Sequence, residues 1–356
     1  MQHMTKEFSH LDHVLGHGFD SVIDVRSPAE FAEDHVPGAI NLPVLDNEER
    51  ARVGTIYKQQ SPFLARKVGA ALVFRNASAH IEGPLAQFDG SWRPLVYCWR
   101  GGQRSGAFAW MLAQIGWRPE VVQGGYKTYR RLVTARLYDQ PLGLRLIQLG
   151  GYTGTAKTAL LHRLAQREVQ VLDLEGLARH RGSLLGGMPG GQPSQKAFES
   201  TLAQALHRFD PQRPVLVEAE SSKIGGLLVP PSLWSAMKVA PWIEVSAPLA
   251  ARAAYLAEAY DDILSDTEGL RHKLRHLVAF RGTAVVDNWF KLIDRGDRLA
   301  LTAALAAEHY DPAYAKSMRA LAPDIRHRFE TQGLSASELD QLADRIAARL
   351  DSFSVI

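Results

Sequence analysis

Twice along its 356 residues the chain runs from a short aliphatic stretch into a glycine-rich turn and then directly into residues with helical apolar spacing. The first passage is "PLVYCWRGGQRSGAFAWMLAQIG" (94–116) and the second is "LRLIQLGGYTGTAKTALLHRL" (144–164). A buried-type strand handed to a helix through glycines is the building unit of a parallel α/β sheet. It also leaves the first N–H groups of the helix without intrahelical partners, aimed at the turn. Two such units predict two α/β domains, and the chain is long enough for two cores.

The flanking segments support that division. "SVIDV" (21–25) is a short strand, and "SPAEFAEDH" reads as a helix begun by Ser27 with Pro28 in its first turn. "PGAINLP" (37–43) is a turn into a short strand, and "VVQGGY" (121–126) is a strand followed by a glycine turn. After Arg136, "LYDQPLG" reads as a linker and the pattern restarts, with strands at "VQVLDL" (169–174) and "PVLVEAES" (214–221). Between those strands Phe198, Leu202, Ala205, Leu206 and Phe209 form one helical stripe, read as core. From about residue 250 the pattern is helical, ending with a capping box from Ser335 to Glu338 and with Leu339, Leu342, Ile346 and Leu350 on one face. The predicted organisation is an α/β domain over 1–136, a second over 141–250, and a helical region over 251–356 packed on the second.

Hydrophobic residues make up 46% of the chain and charged residues 22%, the balance of a soluble globular protein. One cysteine excludes an internal disulfide framework and points to a reducing compartment. The N-terminal residues lack the apolar core of a signal peptide, and no apolar run is long enough to span a bilayer. A cytoplasmic protein with no membrane partner is therefore expected. A net charge of +3 permits a nucleic-acid partner without arguing for one. The basic clusters at 129–138, 271–276 and 326–328 read as solvated helix faces.

The lone thiol, Cys98, sits where the first strand ends. Free amides and a helix N-terminus favour an anion there and lower a thiol's pKa. Gly101 and Gly102 let the backbone curl into an anion cradle, and Arg100 and Arg104 add positive charge. With "DVRSPAEFAEDHVPGAINLP" upstream, "VYCWRGGQRS" resembles the rhodanese family, whose cysteine carries sulfur or selenium. Asp24 and Arg26 match that family's strand-end pair, and His35, Pro37 and Gly38 match its turn; bracing is the simplest role for most of them. Five residues separate Cys98 from Arg104, one more than in sulfur-transferring rhodaneses and equal to the phosphatases that share the fold. A phosphatase therefore stands as a rival, while the wider cradle also suits a donor that brings selenium on a phosphate.

In the second passage Gly151, Gly154, Thr155, Ala156, Lys157 and Thr158 nearly make a Walker A loop, predicting a P-loop NTPase-like α/β domain. Such a loop surrounds phosphate oxygens with amides, neutralises them with its lysine and offers a hydroxyl to Mg²⁺. Ala156 stands where the pattern has glycine. A methyl group there either crowds the phosphates or, at positive φ, strains the turn by about 1 kcal/mol. Phosphate binding is the expectation, with nucleotide hydrolysis less well supported. Asp173, Glu175, Glu218 and Glu220 lie at strand ends, as acidic residues near the metal do in P-loop proteins, or else are polar strand exits; no metal ligand is fixed by the sequence.

A rhodanese-like domain joined to a P-loop domain is an unusual pairing. With "LDLEGLARHRGSLLGG", "QPSQKAFE" and "EAESSKIGGLLVPPSLW", it resembles the tRNA 2-selenouridine synthase family along almost the whole chain. The resemblance implies a transferase acting on the wobble 2-thiouridine of tRNAs for Lys, Glu and Gln. Geranyl diphosphate would first alkylate the sulfur, and selenium from selenophosphate would then displace the S-geranyl group, giving 2-selenouridine. It implies no tightly bound cofactor, these two donors as co-substrates, and an enzyme that supplies selenophosphate as a partner. Cys98 would accept selenium or position it, and the 151–158 loop would hold the diphosphate, while the walls of a prenyl channel are unassigned. Arg130, Arg131, Arg179, Arg181, Arg271, Lys273 and Arg275 are the candidate tRNA contacts. Trp289, Tyr310 and Tyr314 either stack an unpaired base or belong to the core. A sulfurtransferase or phosphatase with a regulatory P-loop domain, and a non-enzymatic anion-binding adaptor, remain as alternatives.

Overall fold

The computed structural model describes residues 5–350. The chain forms two compact units, one from residues 1–140 with 193–208, the other from 141–192 with 209–356.

The first unit is built on a five-stranded, all-parallel sheet. Its strands are β1 (Thr5–Lys6), β2 (Ser21–Asp24), β3 (Ile40–Asn41), β4 (Pro94–Tyr97) and β5 (Glu120–Val122), in the order β1-β5-β4-β2-β3. β4, which leads to Cys98, is central and fully buried, as its unbroken apolar run requires. Alternate residues Ile23, Val96 and Val121 meet Leu72, Val73 and Ala77 of helix Pro62–Glu82 and Phe108 and Leu112 of helix Gln103–Ile115. Ser27 does begin helix Pro28–Glu33, closing a capping box with Glu30.

Helix Gln195–His207 belongs to this first unit, although strands of the second flank it in sequence. Its stripe of Phe198, Leu202 and Leu206 is buried as expected. The added finding is what anchors it: buried Glu199 pairs with Arg130 and accepts a hydrogen bond from the Tyr138 hydroxyl at 2.6 Å.

The second unit holds β6 (Leu146–Gly150), β7 (Gln170–Leu172), β8 (Val215–Glu218), a short hairpin of β9 (Lys223–Ile224) and β10 (Leu227–Leu228), then β11 (Trp242–Ser246) and β12 (Ile325–Glu330). Its main sheet is again parallel, in the order β12-β11-β6-β8-β7, so the strand feeding the second glycine loop is also central. Ile147, Leu149, Ile243 and Val245 pack against Leu160, Leu161 and Leu164 of helix Lys157–Ala165 and against Leu342 and Ile346 of helix Ala336–Leu350. The capping box is present: the Ser335 amide donates to Glu338 Oε2 at 3.0 Å and the Glu338 amide to Ser335 Oγ at 3.4 Å.

One expectation for the C-terminal region needs correction. The basic run 326–328 lies on strand β12 rather than on a helix face. Of the two alternatives left open for Trp289 the core one holds: it is fully buried with Leu270, Leu301 and Leu305, and its indole N–H donates to Glu308 at 2.7 Å.

Candidate functional site

In the first unit the chain leaves β4 at Tyr97, turns through residues 98–102 and enters helix Gln103–Ile115. Gly101 has φ +64°, and a Cβ there would lie 2.3 Å from the Val122 carbonyl oxygen. Gly125 has φ +59°, and its Cβ would sit 2.3 Å from the Cys98 carbonyl oxygen. Glycine is therefore required at both positions for the loop to close against the turn after β5.

Cys98 is 4% exposed, and its Sγ accepts a hydrogen bond from the Ser105 hydroxyl at 3.2 Å. Burial opposes the thiolate, but the Ser105 hydroxyl and amide, the Arg104 charge and the Arg100 amide outweigh it, so the pKa falls below the ordinary thiol value. Arg104 is held by Glu30, Nη1 to Oε2 at 2.8 Å. Burial works against Glu30's charge too, yet Arg104 brings its pKa below the usual carboxylate range. An open cavity of about 400 Å³ is lined by Arg50, Cys98, Arg100, Gly102, Gln103 and Arg104, bringing together every residue expected there except Gly101, which closes the loop from behind.

The strand-end residues brace this loop. Asp24 and Arg26 are buried and paired through both carboxylate oxygens, at 2.7 Å for Nη2 to Oδ2. Arg26 also donates to the Asp34 carbonyl at 2.6 Å and lies 4.0 Å from the ring centroid of Tyr126. Asp34 in turn accepts from the Tyr126 hydroxyl at 2.7 Å.

In the second unit, Gly151 and Gly154 adopt φ +151° and +85°, and a Cβ at Gly154 would meet Leu256 at 2.8 Å. Ala156 has φ +58°, the strained case foreseen for this position. Its methyl group packs with Leu334 and Leu339. Lys157 opens the helix and its Nζ donates to the Gly151 carbonyl at 3.0 Å, within the loop it would neutralise. Thr155 is fully buried, its hydroxyl donating to the Tyr152 carbonyl at 2.8 Å.

The acidic residues do converge. Thr158 Oγ1 lies 3.0 Å from Glu175 Oε2 and 3.0 Å from Glu218 Oε1. A hydroxyl carries one proton, so a protonated carboxyl satisfies the second contact. Burial, reinforced by the Glu175 and Asp173 charges, raises Glu218 well above the carboxylate range. Burial and the charge of Glu175 likewise raise Glu220 to about 7, and burial raises Glu175. Asp173 lies further out, 2.8 Å from His162 Nε2, and caps helix Leu174–Ala178. Among the described residues no group of three or more such side chains is arranged to hold a metal ion, and the Thr158 hydroxyl is turned to carboxyls.

Gly151, Gly154, Lys157, Thr158, Asp173, Glu175 and Glu220 line a cavity of about 570 Å³, and Glu218 lies outside its lining. Part of its lining was not foreseen from the sequence: Tyr255, Leu256 and Ala259 of helix Leu249–Ala259, with Tyr260; Tyr310 and Tyr314, left open between base stacking and core, line it too. Helical spacing marks that helix as amphipathic, but no local signal shows that its residues face the glycine loop.

The basic residues scatter. Arg130 is committed to Glu199, Arg271 to Asp294 and the Phe290 carbonyl, and Arg179 to the Pro189 carbonyl. Arg181 lines the second cavity and pairs with Asp262 at 3.0 and 3.1 Å. Arg131 and Arg275 are exposed, and Lys273 is half-buried on helix Thr267–Arg275.

The folds and loops define a protein with a rhodanese-like thiol domain and a P-loop-type α/β domain on one chain. Residues 9–132 match the rhodanese-like domain, and residues 144–281 match the tRNA 2-selenouridine synthase AAA domain. The tRNA 2-selenouridine synthase of Nitrosomonas europaea is 37% identical over 72% of this chain and 67% of its own length. That of Aeromonas salmonicida is 38% identical over 67% and 64%, and that of Alcanivorax borkumensis 39% identical over 67% and 66%. The chain belongs to the tRNA 2-selenouridine synthase family, which consists of tRNA-modifying transferases. It spans about two thirds of the length of these relatives. Among the described residues no helix is long and apolar enough to cross a membrane.

Proposed function

We propose that this protein converts wobble 2-thiouridine in tRNA to 2-selenouridine by way of an S-geranyl intermediate. The observation that carries the reading is the make-up of the cavity around Lys157: its lining combines the glycine loop and lysine with the apolar side chains of Tyr255, Leu256 and Ala259. A diphosphate with an aliphatic tail matches both sides. The thiocarbonyl sulfur attacks the carbon bearing the diphosphate, a C–S bond forms, the C–O bond breaks, and diphosphate leaves with its charge met by Lys157.

The S-geranyl group makes the sulfur a leaving group. In selenophosphate the selenium is already reduced, so its delivery needs no oxidant. Selenium attacks C2, geranyl thiol departs with a proton, and water takes the phosphoryl group from selenium. A loop with a low-pKa thiol, curled amides and Arg104 suits the phosphoryl end of this donor, with Cys98 positioning it rather than storing selenium as an oxidised selenosulfide.

The deciding experiment incubates the protein with 2-thiouridine tRNA, geranyl diphosphate and selenophosphate and reads the nucleosides by mass spectrometry. Selenated nucleoside after an S-geranyl intermediate supports the proposal. Unmodified tRNA overturns it, with hydrolysis of a phosphomonoester identifying a phosphatase instead.

A further inference from the structure

Beside the Cys98 cavity the first unit carries a second hollow that the anion chemistry does not use. It has a volume of about 460 Å³, within the roughly 300–1,000 Å³ that ligand sites occupy. Leu45, Val53, Tyr57, Gly69, Val73 and Ala107 line it, from helices Asn47–Gln59, Pro62–Glu82 and Gln103–Ile115 and the segment before them. Small residues leave it unfilled: a Cβ at Gly69 would reach Val53 only at 3.4 Å, ordinary contact. The hollow and the thiol cavity share Arg50, Gln103 and Arg104, so the two adjoin through polar side chains, with the apolar lining on the far side of these from the cysteine loop. Arg50, Arg66 and Arg104 supply the charged part of its lining.

Apolar walls with guanidinium groups on the side toward a reactive thiol match a ligand that joins an aliphatic chain to an anionic body. We infer that this groove holds the S-prenyl chain of the modified base during selenium exchange, while the exposed Arg66 in its lining faces the negative backbone of the RNA. The inference rests on the proposed function for the identity of the chain. It assigns the first unit a subsite for the intermediate, separate from the apolar wall that receives geranyl diphosphate in the second unit. Such a groove also selects the alkylated base over unmodified 2-thiouridine, because only the former has a chain to bury.

The test uses full-length protein and two synthetic anticodon-loop RNAs, one bearing S-geranyl-2-thiouridine and one S-methyl-2-thiouridine, each supplied with selenophosphate. Neither depends on the geranylation step. The wild type is expected to favour the geranyl substrate in kcat/KM by about tenfold or more, as burial of several methylenes requires. Ala70→Trp, which places an indole in the groove, is expected to remove most of that preference. Tyr57→Ser, at a position 57% exposed and tolerant of change, is expected to reduce it by a smaller factor. No preference in the wild type, or a preference unaltered in both variants, overturns the groove assignment. Failure of the wild type to geranylate 2-thiouridine RNA, with the preference intact, counts against the first step of the proposed function and leaves the groove standing.

Discussion

The Cys98 sulfur and the Ser105 hydroxyl lie 3.2 Å apart across the mouth of a helix, and that hydrogen bond leads the interactions that offset burial of the thiolate. Removing it separates the electrostatic role of the loop from its shape. Ser105→Ala is expected to raise the thiol pKa, so that the midpoint of iodoacetamide alkylation moves to higher pH, and to slow selenation several-fold near neutrality. Cys98→Ala is expected to abolish selenation and leave geranylation largely intact. Equal loss of both products would give the thiol a structural role.

Lys157 sits in the loop that would hold diphosphate, with its Nζ only 3.0 Å from the Gly151 carbonyl. A charge-assisted hydrogen bond contributes about 1.5–3 kcal/mol, so Lys157→Ala should weaken inorganic pyrophosphate binding by about 10- to 100-fold. Calorimetric titration checks this, and the geranylation step should fall before selenation of a pre-geranylated RNA does.

Ala156 combines a positive φ with a methyl group packed against Leu334 and Leu339. Glycine would relieve the backbone but lose that contact and gain freedom in the unfolded chain, each effect on the order of 0.5–1 kcal/mol. Ala156→Gly should therefore unfold in urea within about 1 kcal/mol of the wild type. Ala156→Val, a β-branched residue forced to positive φ, should cost about 2 kcal/mol or more.

Glu220 has a folded-state pKa of about 7 against an ordinary value of 4.5, because burial and the Glu175 charge disfavour its ionisation. The raised value means that the folded state binds the proton more tightly. Its contribution is fully present below about pH 4.5 and is lost as pH rises through about 7. The loss is on the order of 3 kcal/mol at most. The melting temperature of Glu220→Gln should accordingly fall less than that of the wild type between pH 6 and pH 8. Parallel curves for the two proteins would contradict the assignment.

Much of this site is legible in the sequence because it is local. A strand end, glycines that only positive φ explains, and a lysine or cysteine at a fixed offset identify both loops without any knowledge of tertiary contacts. The helix start at Ser27 and the capping box at Ser335 are legible for the same reason. What escaped depends on partners distant in the chain. β12 carries Arg326 and Arg328 between Ile325, His327 and Phe329, so charge masks a period-two pattern whose inner positions pack beside β11. For Trp289 the sequence left stacking and core both open, and the helices that close over it decide for the core. The helix of Tyr255, Leu256 and Ala259 is an ordinary amphipathic helix until the fold packs it against the glycine loop. Helix Gln195–His207 advertised that it would bury a stripe, but not against which sheet; Glu199 beside that stripe, answered by Arg130 and Tyr138, was the available sign of a remote partner.

Because residues 193–208 fold with the first unit, the polypeptide passes between the units three times. A single proteolytic nick between the helix Lys157–Ala165 and residue 192 would leave each fragment with parts in both folded bodies. A gene shortened to end at Gln140 would encode a thiol domain missing one of its own helices, with Tyr129 and Arg130 stripped of their cover. The two halves are thus covalently interlaced, each completed by a segment that lies beyond part of the other in the chain.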